Sequence, residues 1–417
     1  MKFFKVFVFI FILIFSYIFP VFADDELLEN EFDLSSILSS SPVSNNEPII
    51  NSRAAIVLDR NSKFILYGKN ENEKRKMAST TKIITAIVVI ENANLEEITT
   101  VSPKAAGTGG SRLGLHTNDK ISIINLLYGL LLCSGNDAAV ALAEFTSGSV
   151  ENFSILMNNK ATELGLTSTH FVTPHGLDND EHYTTAYELA LLTDYALKNK
   201  TFSNIVGTKS HTIQINNSYK TLSNTNELLG NFEGVYGVKT GFTNGANRCL
   251  VTAIKRGNMD IICIVLGADT KKDRTKDSIK LIEYAYKNFE LVNVKEKINT
   301  EFENWKLCNS SSFYVSKGKT NNLEIALEDL PYDFLPVNSN QIDNVSIYIY
   351  CNTNLSAPLP SNTPIGYISL SINGTNLINL NIYNVNNVEK NNCLDFFNDM
   401  IKNYTSSIEF LFYKNPI

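Results

Sequence analysis

At 417 residues the chain is too long for one ordinary domain and has room for two once a leader is set aside. With 44% hydrophobic and 19% charged residues it is neither a disordered chain nor a multi-pass membrane protein. A net charge of −7 argues against a nucleic-acid partner, because no basic field is present to collect phosphate.

Lys2 and Lys5 precede an apolar run over residues 6–22, Val21 and Ala23 supply small side chains at a cleavage point, and Asp24-Asp25-Glu26 follows at once. The pattern predicts a signal peptide over 1–23, with an uncleaved anchor as the alternative; either way the folded part is extracytoplasmic, secreted or in the cell envelope. Residues 24–47 are acidic and rich in Ser and Asn, which predicts a flexible spacer.

Order begins with two β-rich runs, 54–59 and 63–68, around the turn Arg60-Asn61-Ser62. A helix is predicted from Ser79 through Ile90, apolar nearly all round and therefore central and buried. Between Ile121 and Thr146 two helical patterns flank Ser134-Gly135-Asn136, which places that string on a loop. Further helices are predicted at 150–163 and 185–198, strands at 210–216, 234–240, 248–254 and 260–266, and a closing helix at 276–289. Strands, then helices, then strands and a helix predict an α+β domain over 48–291, one sheet with a helical cluster.

From Val292 helical periods give way to short strands separated by turns, at 312–315, 323–326, 345–350, 366–372 and 376–383, with Asn373-Gly374 as a hairpin turn. This predicts a small all-β domain over 292–388 without a catalytic constellation of its own. The tail, 389–417, sets Leu394, Phe397, Ile401 and Tyr404 on one helical face, suited to a membrane surface or to packing on the β domain.

The six cysteines are scattered without a C-x-x-C pair, so neither a zinc site nor a disulfide framework is expected. Cys133, at the end of an apolar helix, reads as a buried structural thiol rather than a nucleophile. Cys249 and Cys263 fall on strands expected to pair, which leaves a disulfide open without predicting one. His170, His175 and His182 crowd near Asp178, Asp180 and Glu181, yet the segment reads as a loop and lacks H-E-x-x-H; no metal and no cofactor are expected.

Three strings carry the chemistry. In Ser79-Thr80-Thr81-Lys82 the lysine lies one helical turn from the serine and can take its proton if held uncharged; burial and a second cation, Lys239, would favour that state. The plain alternative makes Ser79 an N-cap and Lys82 a snorkelling surface lysine. Ser134 offers a hydroxyl to relay a proton to a leaving amine, and Asn136 an amide for Lys82 and a substrate carbonyl; the plain alternative is a turn between helices. Lys239 and Thr240 can hold a terminal carboxylate, Gly241 lets an extended peptide approach the strand, and the Phe242 N–H can join the Ser79 N–H around an oxyanion.

These residues closely resemble the serine-type D-alanyl-D-alanine carboxypeptidases, the low-molecular-mass penicillin-binding proteins of peptidase family S11. The likeness extends to Ala78, Asp137-Ala138-Ala139, Gly165-Leu166, Gly176-Leu177-Asp178, Asn224-Thr225-Asn226, Gly237-Val238 and Phe242-Thr243, strongest over residues 50–290, and more loosely to Ala357-Pro358 and Pro364-Ile365-Gly366. Glu188 stands where many relatives carry Asp. The resemblance implies a β-lactamase/transpeptidase-like fold and removal of the terminal D-alanine from peptidoglycan stem pentapeptides through an acyl-serine, with β-lactams acylating the same serine. Alternatives are a D,D-endopeptidase, a class A-like β-lactamase using Asp178 or Glu181 for deacylation, and a non-catalytic murein-binding or penicillin-sensing module.

Overall fold

The computed structural model describes residues 33–40, 47–309, 314–319, 323–352 and 354–405, apart from 396, 399 and 403. The leader, most of the acidic spacer and the tail beyond residue 405 lie outside the described residues, as do positions 312 and 313 of one expected strand. The chain divides into two compact units, the first ending at Asn288 and the second beginning at Phe289.

A five-stranded antiparallel sheet organises the first unit, in the order Ile65–Lys69, Ala54–Asp59, Met259–Ala268, Asn247–Arg256, Val235–Thr243. Its central strands are buried on both faces, which accounts for their unbroken apolar runs. Alternate residues belong to different cores. Ile56, Leu58, Cys249, Val251, Ile262 and Ile264 join a core shared with the helical cluster. Cys263 points the other way and donates its thiol to the Ser278 carbonyl, in the helix Lys271–Asn288. Cys249 and Cys263 therefore face opposite sides of the sheet, and both are free thiols.

The helical cluster surrounds Lys82–Asn92, whose first eight residues are all buried, as its apolar circumference requires. Around it lie Ile123–Leu131, Asn136–Ser147, Val150–Glu163, Ala186–Lys198 and Lys200–Val206. Ser side chains at positions 122 and 149, Thr185 and Asn199 each accept a backbone N–H at the start of a helix, so the cluster is capped from its own sequence. Within the stretch expected to be a flexible spacer, Leu34–Ser40 forms a short helix with Ile37 buried. Asp33 accepts the Ser35 N–H at its start, a local capping signal that composition alone hides.

The second unit holds an antiparallel sheet in the order Ile325–Leu327, Thr375–Asn384, Pro364–Ile372, Val345–Cys351. Phe289–Asn293 pairs with Phe334–Asn338, and Tyr314–Ser316 with Asn354–Ser356. The unit is the expected small β domain with one correction: Val294–Asn309 is a helix. Its buried residues are Val294, Ile298 and Phe302, a single stripe at spacing four in an otherwise polar segment, too narrow to register as an amphipathic period. The tail is helical over its described residues between 393 and 405, and Leu394, Phe397, Ile401 and Tyr404 are exposed rather than packed. Among the described residues no helix is long and apolar enough to cross a membrane.

Ile84, wholly buried in the central helix, sets the scale of that core. Ile84→Ala is expected to cost about 2–5 kcal/mol in urea-denaturation stability.

Candidate active site

The central helix does not begin at Ser79. A 3-10 turn, Ala78–Thr81, precedes the α-helix Lys82–Asn92, and neither Met77 nor Thr81, the residues at the cap positions, makes a side-chain cap bond. Ser79 is thus not an N-cap. Residues three apart eclipse in a 3-10 turn, which stacks Lys82 on Ser79. The Lys82 amine donates to Ser79 Oγ at 2.7 Å, to Asn136 Oδ1 at 2.7 Å and to the His175 carbonyl at 3.0 Å. Lys82 is fully buried, so the snorkelling reading does not hold.

Asn136 opens the helix Asn136–Ser147, and its amide is fixed at both ends. Nδ2 donates to the Gly109 carbonyl at 2.8 Å and the backbone N–H to the Ser111 carbonyl at 2.8 Å, leaving Oδ1 turned toward Lys82. Ser134 lies two residues earlier, buried, with a left-handed φ of 60° in the turn between helices. Asp137, which the sequence reading gave no role, accepts four backbone N–H groups, from Leu113, Gly114, Leu115 and Ala138, at 2.7, 2.8, 2.9 and 2.9 Å. It locks the 111–115 segment against the Ser-Gly-Asn turn.

Lys239, Thr240, Gly241 and Phe242 lie within the edge strand Val235–Thr243 rather than after it. A Cβ on Gly241 would stand 3.1 Å from the Ser79 nitrogen and 3.2 Å from the Met77 carbonyl, so the strand backbone runs directly against the serine turn. Thr240 Oγ1 shares a 2.8 Å hydrogen bond with Thr225 Oγ1, and the Lys239 amine donates to the Thr240 carbonyl at 2.9 Å. Thr225 donates its N–H to the Leu132 carbonyl, joining this wall to the Ser-Gly-Asn turn. Phe242 pairs with Arg248 across the ladder, and the guanidinium carbon sits 3.7 Å from the ring centroid.

The histidine segment buttresses the serine turn. Val172 donates its N–H to His182 Nδ1 at 2.9 Å, which leaves the ring proton on Nε2, facing Thr81 Oγ1 at 2.8 Å. Thr81 in turn donates to the Ala78 carbonyl at 2.8 Å. Ala78 carries a φ of 48°, uncommon for a residue with a side chain, and Gly176 packs so closely that a Cβ there would meet the Ala78 carbonyl oxygen at 2.0 Å. Burial drives His182 down to about 4. Burial and the charge of Lys82 drive His175 down to about 3. The Asp178 carboxylate is occupied by the Thr243 hydroxyl at 2.7 Å and the Gly245 N–H at 2.8 Å. Cys133 donates its thiol to the Gly129 carbonyl one turn back, and burial raises its pKa. Among the described residues no group of three His, Cys, Asp or Glu side chains could hold a metal ion.

Two variants test this buttress. Gly176→Ala, at φ +87° and against a backbone carbonyl, is expected to destabilise the unit by more than about 1 kcal/mol in denaturant titrations. The two imidazoles are neutral in the folded state well below their ordinary 6.5, so below that pH the unfolded chain binds more protons. Stability is then complete above about 6.5 and falls as the pH drops toward the folded values. His182→Gln is expected to lower the melting temperature at neutral pH and to flatten its decline over that acid range.

Known proteins resemble this chain in sequence and fold. The family model for D-alanyl-D-alanine carboxypeptidase, peptidase family S11, matches residues 41–270, and that for the C-terminal domain of penicillin-binding protein 5 matches residues 302–390. The chain is 34% identical over 328 residues to D-alanyl-D-alanine carboxypeptidase DacF of Bacillus subtilis, covering 77% of this chain and 82% of that protein. It is 36% identical over 258 residues to the D-alanyl-D-alanine carboxypeptidase of Streptomyces sp. strain K15, covering 58% of this chain and 89% of the other. The crystal structure of penicillin-binding protein 5 from Haemophilus influenzae superposes with a TM-score of 0.69 at 28% identity, over 83% of this chain and 99% of that one.

Proposed function

The chain belongs to the D-alanyl-D-alanine carboxypeptidases of peptidase family S11, serine hydrolases of the low-molecular-mass penicillin-binding type, and from that premise we propose how its own residues act. Ser79 Oγ attacks the carbonyl carbon of the penultimate D-alanine of a peptidoglycan stem pentapeptide, and Lys82 takes the hydroxyl proton. The resulting oxyanion sits between the backbone N–H groups of Ser79 and Phe242. Ser134 passes a proton to the amine of the terminal D-alanine as the C–N bond breaks, leaving an acyl ester on Ser79 that water hydrolyses. A β-lactam carbonyl, attacked in the same way, yields the penicilloyl ester.

Binding is assigned to the edge strand. Lys239 and Thr240 hold the terminal carboxylate, Gly241 admits the extended peptide alongside Val235–Thr243, and Asn136 orients both Lys82 and the peptide carbonyl. The observation that carries this reading is the fully buried Lys82 amine 2.7 Å from Ser79 Oγ, with the Gly241 backbone against the Ser79 nitrogen. The β-lactamase alternative loses support because Asp178, one of its two candidate deacylating groups, is spent on Thr243 and Gly245.

We assign the catalytic domain to 48–291 and the accessory β domain to 292–388, in a mature protein outside the cytoplasm. The exposed stripe Leu394, Phe397, Ile401, Tyr404 supports peripheral contact with a membrane surface through the tail.

Ser79→Ala is expected to abolish both D-alanine release from a pentapeptide and covalent penicillin labelling while leaving the far-UV dichroism intact. Lys82→Ala should slow D-alanine release at least about 10²-fold, the scale of a lost general base. Mass spectrometry of the penicilloyl protein should place the adduct on Ser79; an adduct elsewhere would overturn the mechanism.

A further inference from the structure

One surface of the second unit takes no part in any of this. On the strand Val345–Cys351, exposed and half-buried residues alternate, which puts Ser346, Tyr348 and Tyr350 on one face of the sheet. The ladder sets Tyr350 opposite Tyr367 and Tyr348 opposite Ser369, and the next strand adds Asn381 opposite Tyr367 and Asn379 opposite Ser369. The Tyr367 ring lies 5.5 Å from that of Tyr350 and 6.5 Å from that of Tyr348, and the three are 41%, 48% and 59% exposed.

Sheet propensity explains a tyrosine on a strand and a cross-strand pair of them. It does not explain why three exposed rings gather where the described residues in the same ladder rows are Ser369, Asn379 and Asn381, in a chain where 19% of residues are charged. The Glu328 carboxylate, beside the edge strand Ile325–Leu327, is occupied by the Asn381 backbone N–H and Nδ2, both at 2.9 Å. Clustered exposed rings mark an interaction surface. Their flat apolar faces and polar rims suit a ligand with the same mixture.

Charge decides the class of that ligand. Among the described residues in those ladder rows, an anionic polymer would meet no cation; the carboxylates flanking the edge strand, Glu328 and Glu324, accept from Asn381 and Asn386. An N-acetylated amino-sugar strand is uncharged along its backbone, presents C–H faces for stacking, and carries hydroxyl and acetamido groups for the Ser and Asn side chains. We propose that the Tyr348–Tyr350–Tyr367 face binds the amino-sugar backbone of peptidoglycan, so that one chain grips the glycan through its β unit and cuts stem peptides with its catalytic unit. The choice of glycan rests on the carboxypeptidase reading; the binding face itself does not.

The test uses the full mature chain and two separate readouts. Binding is measured to N-acetylglucosamine hexamer, which is uncharged and offers nothing to the catalytic serine; D-alanine release is measured on a soluble pentapeptide. The triple variant Tyr348→Ala, Tyr350→Ala, Tyr367→Ala is expected to weaken glycan binding at least about tenfold, with release from the soluble peptide unchanged. Tyr367→Phe, which keeps the ring, should retain binding. Should the triple variant misfold, iodination of the wild-type chain still decides: saturating hexamer should protect these three tyrosines. Absence of wild-type binding, unprotected tyrosines, or equal binding by a folded triple variant would overturn the proposal. So would concentration-dependent self-association lost in the triple variant, which would make the face a contact between copies. Loss of D-alanine release by the wild-type chain, with glycan binding intact, would instead count against the catalytic reading alone.

Discussion

A lysine amine with no route to water is the constraint around which the first unit is arranged. Burying such a group is costly unless polar partners receive it, and here the partners come from three separate parts of the chain: the Ser79 hydroxyl, the Asn136 amide and the His175 carbonyl. Each must itself be held. Gly109 and Ser111 fix Asn136, a 3-10 turn fixes Ser79, and the Pro174-His175-Gly176 loop is tied to the central helix through Thr85, which donates to the Pro174 carbonyl at 2.7 Å. The geometry around Ser79 and core stability are therefore one problem in this unit.

The opposite wall is governed by a sheet edge. A central strand has both ladders filled, whereas Val235–Thr243 pairs within the sheet only with Asn247–Arg256 and runs beside the serine turn. Substrate bound as an added strand would use hydrogen bonds that any peptide can make, so selectivity must come from its carboxylate terminus and from fit. Gly241 serves both needs, since any side chain there would press on the Ser79 nitrogen.

The histidine loop shows how a distant segment can set the geometry around Ser79. His182 relays a hydrogen bond to Thr81, and Thr81 and Gly176 together hold Ala78 in a left-handed conformation next to the serine. That crowding of His and acidic residues looks like a metal cluster in sequence, yet His182 Nδ1 and His175 Nδ1 accept backbone N–H groups, His182 Nε2 faces a hydroxyl and His170 Nδ1 faces the Glu181 carbonyl.

The sequence by itself determined the three strings, the unbroken apolar sheet strands, the central helix and most of the short strands of the second unit, because each rests on local periodicity or on residue types that chemistry demands. Only the tertiary structure decided that Ser79 sits in a 3-10 turn, that Asp137 and His182 brace the site, and that Cys249 and Cys263 face apart. It also revealed the helix Val294–Asn309, whose narrow stripe becomes legible once the surface it buries against is known. Those features depend on contacts between residues tens to more than a hundred positions apart, such as Thr81 with His182, and on the face parity of paired strands. No pattern confined to neighbouring residues encodes either one.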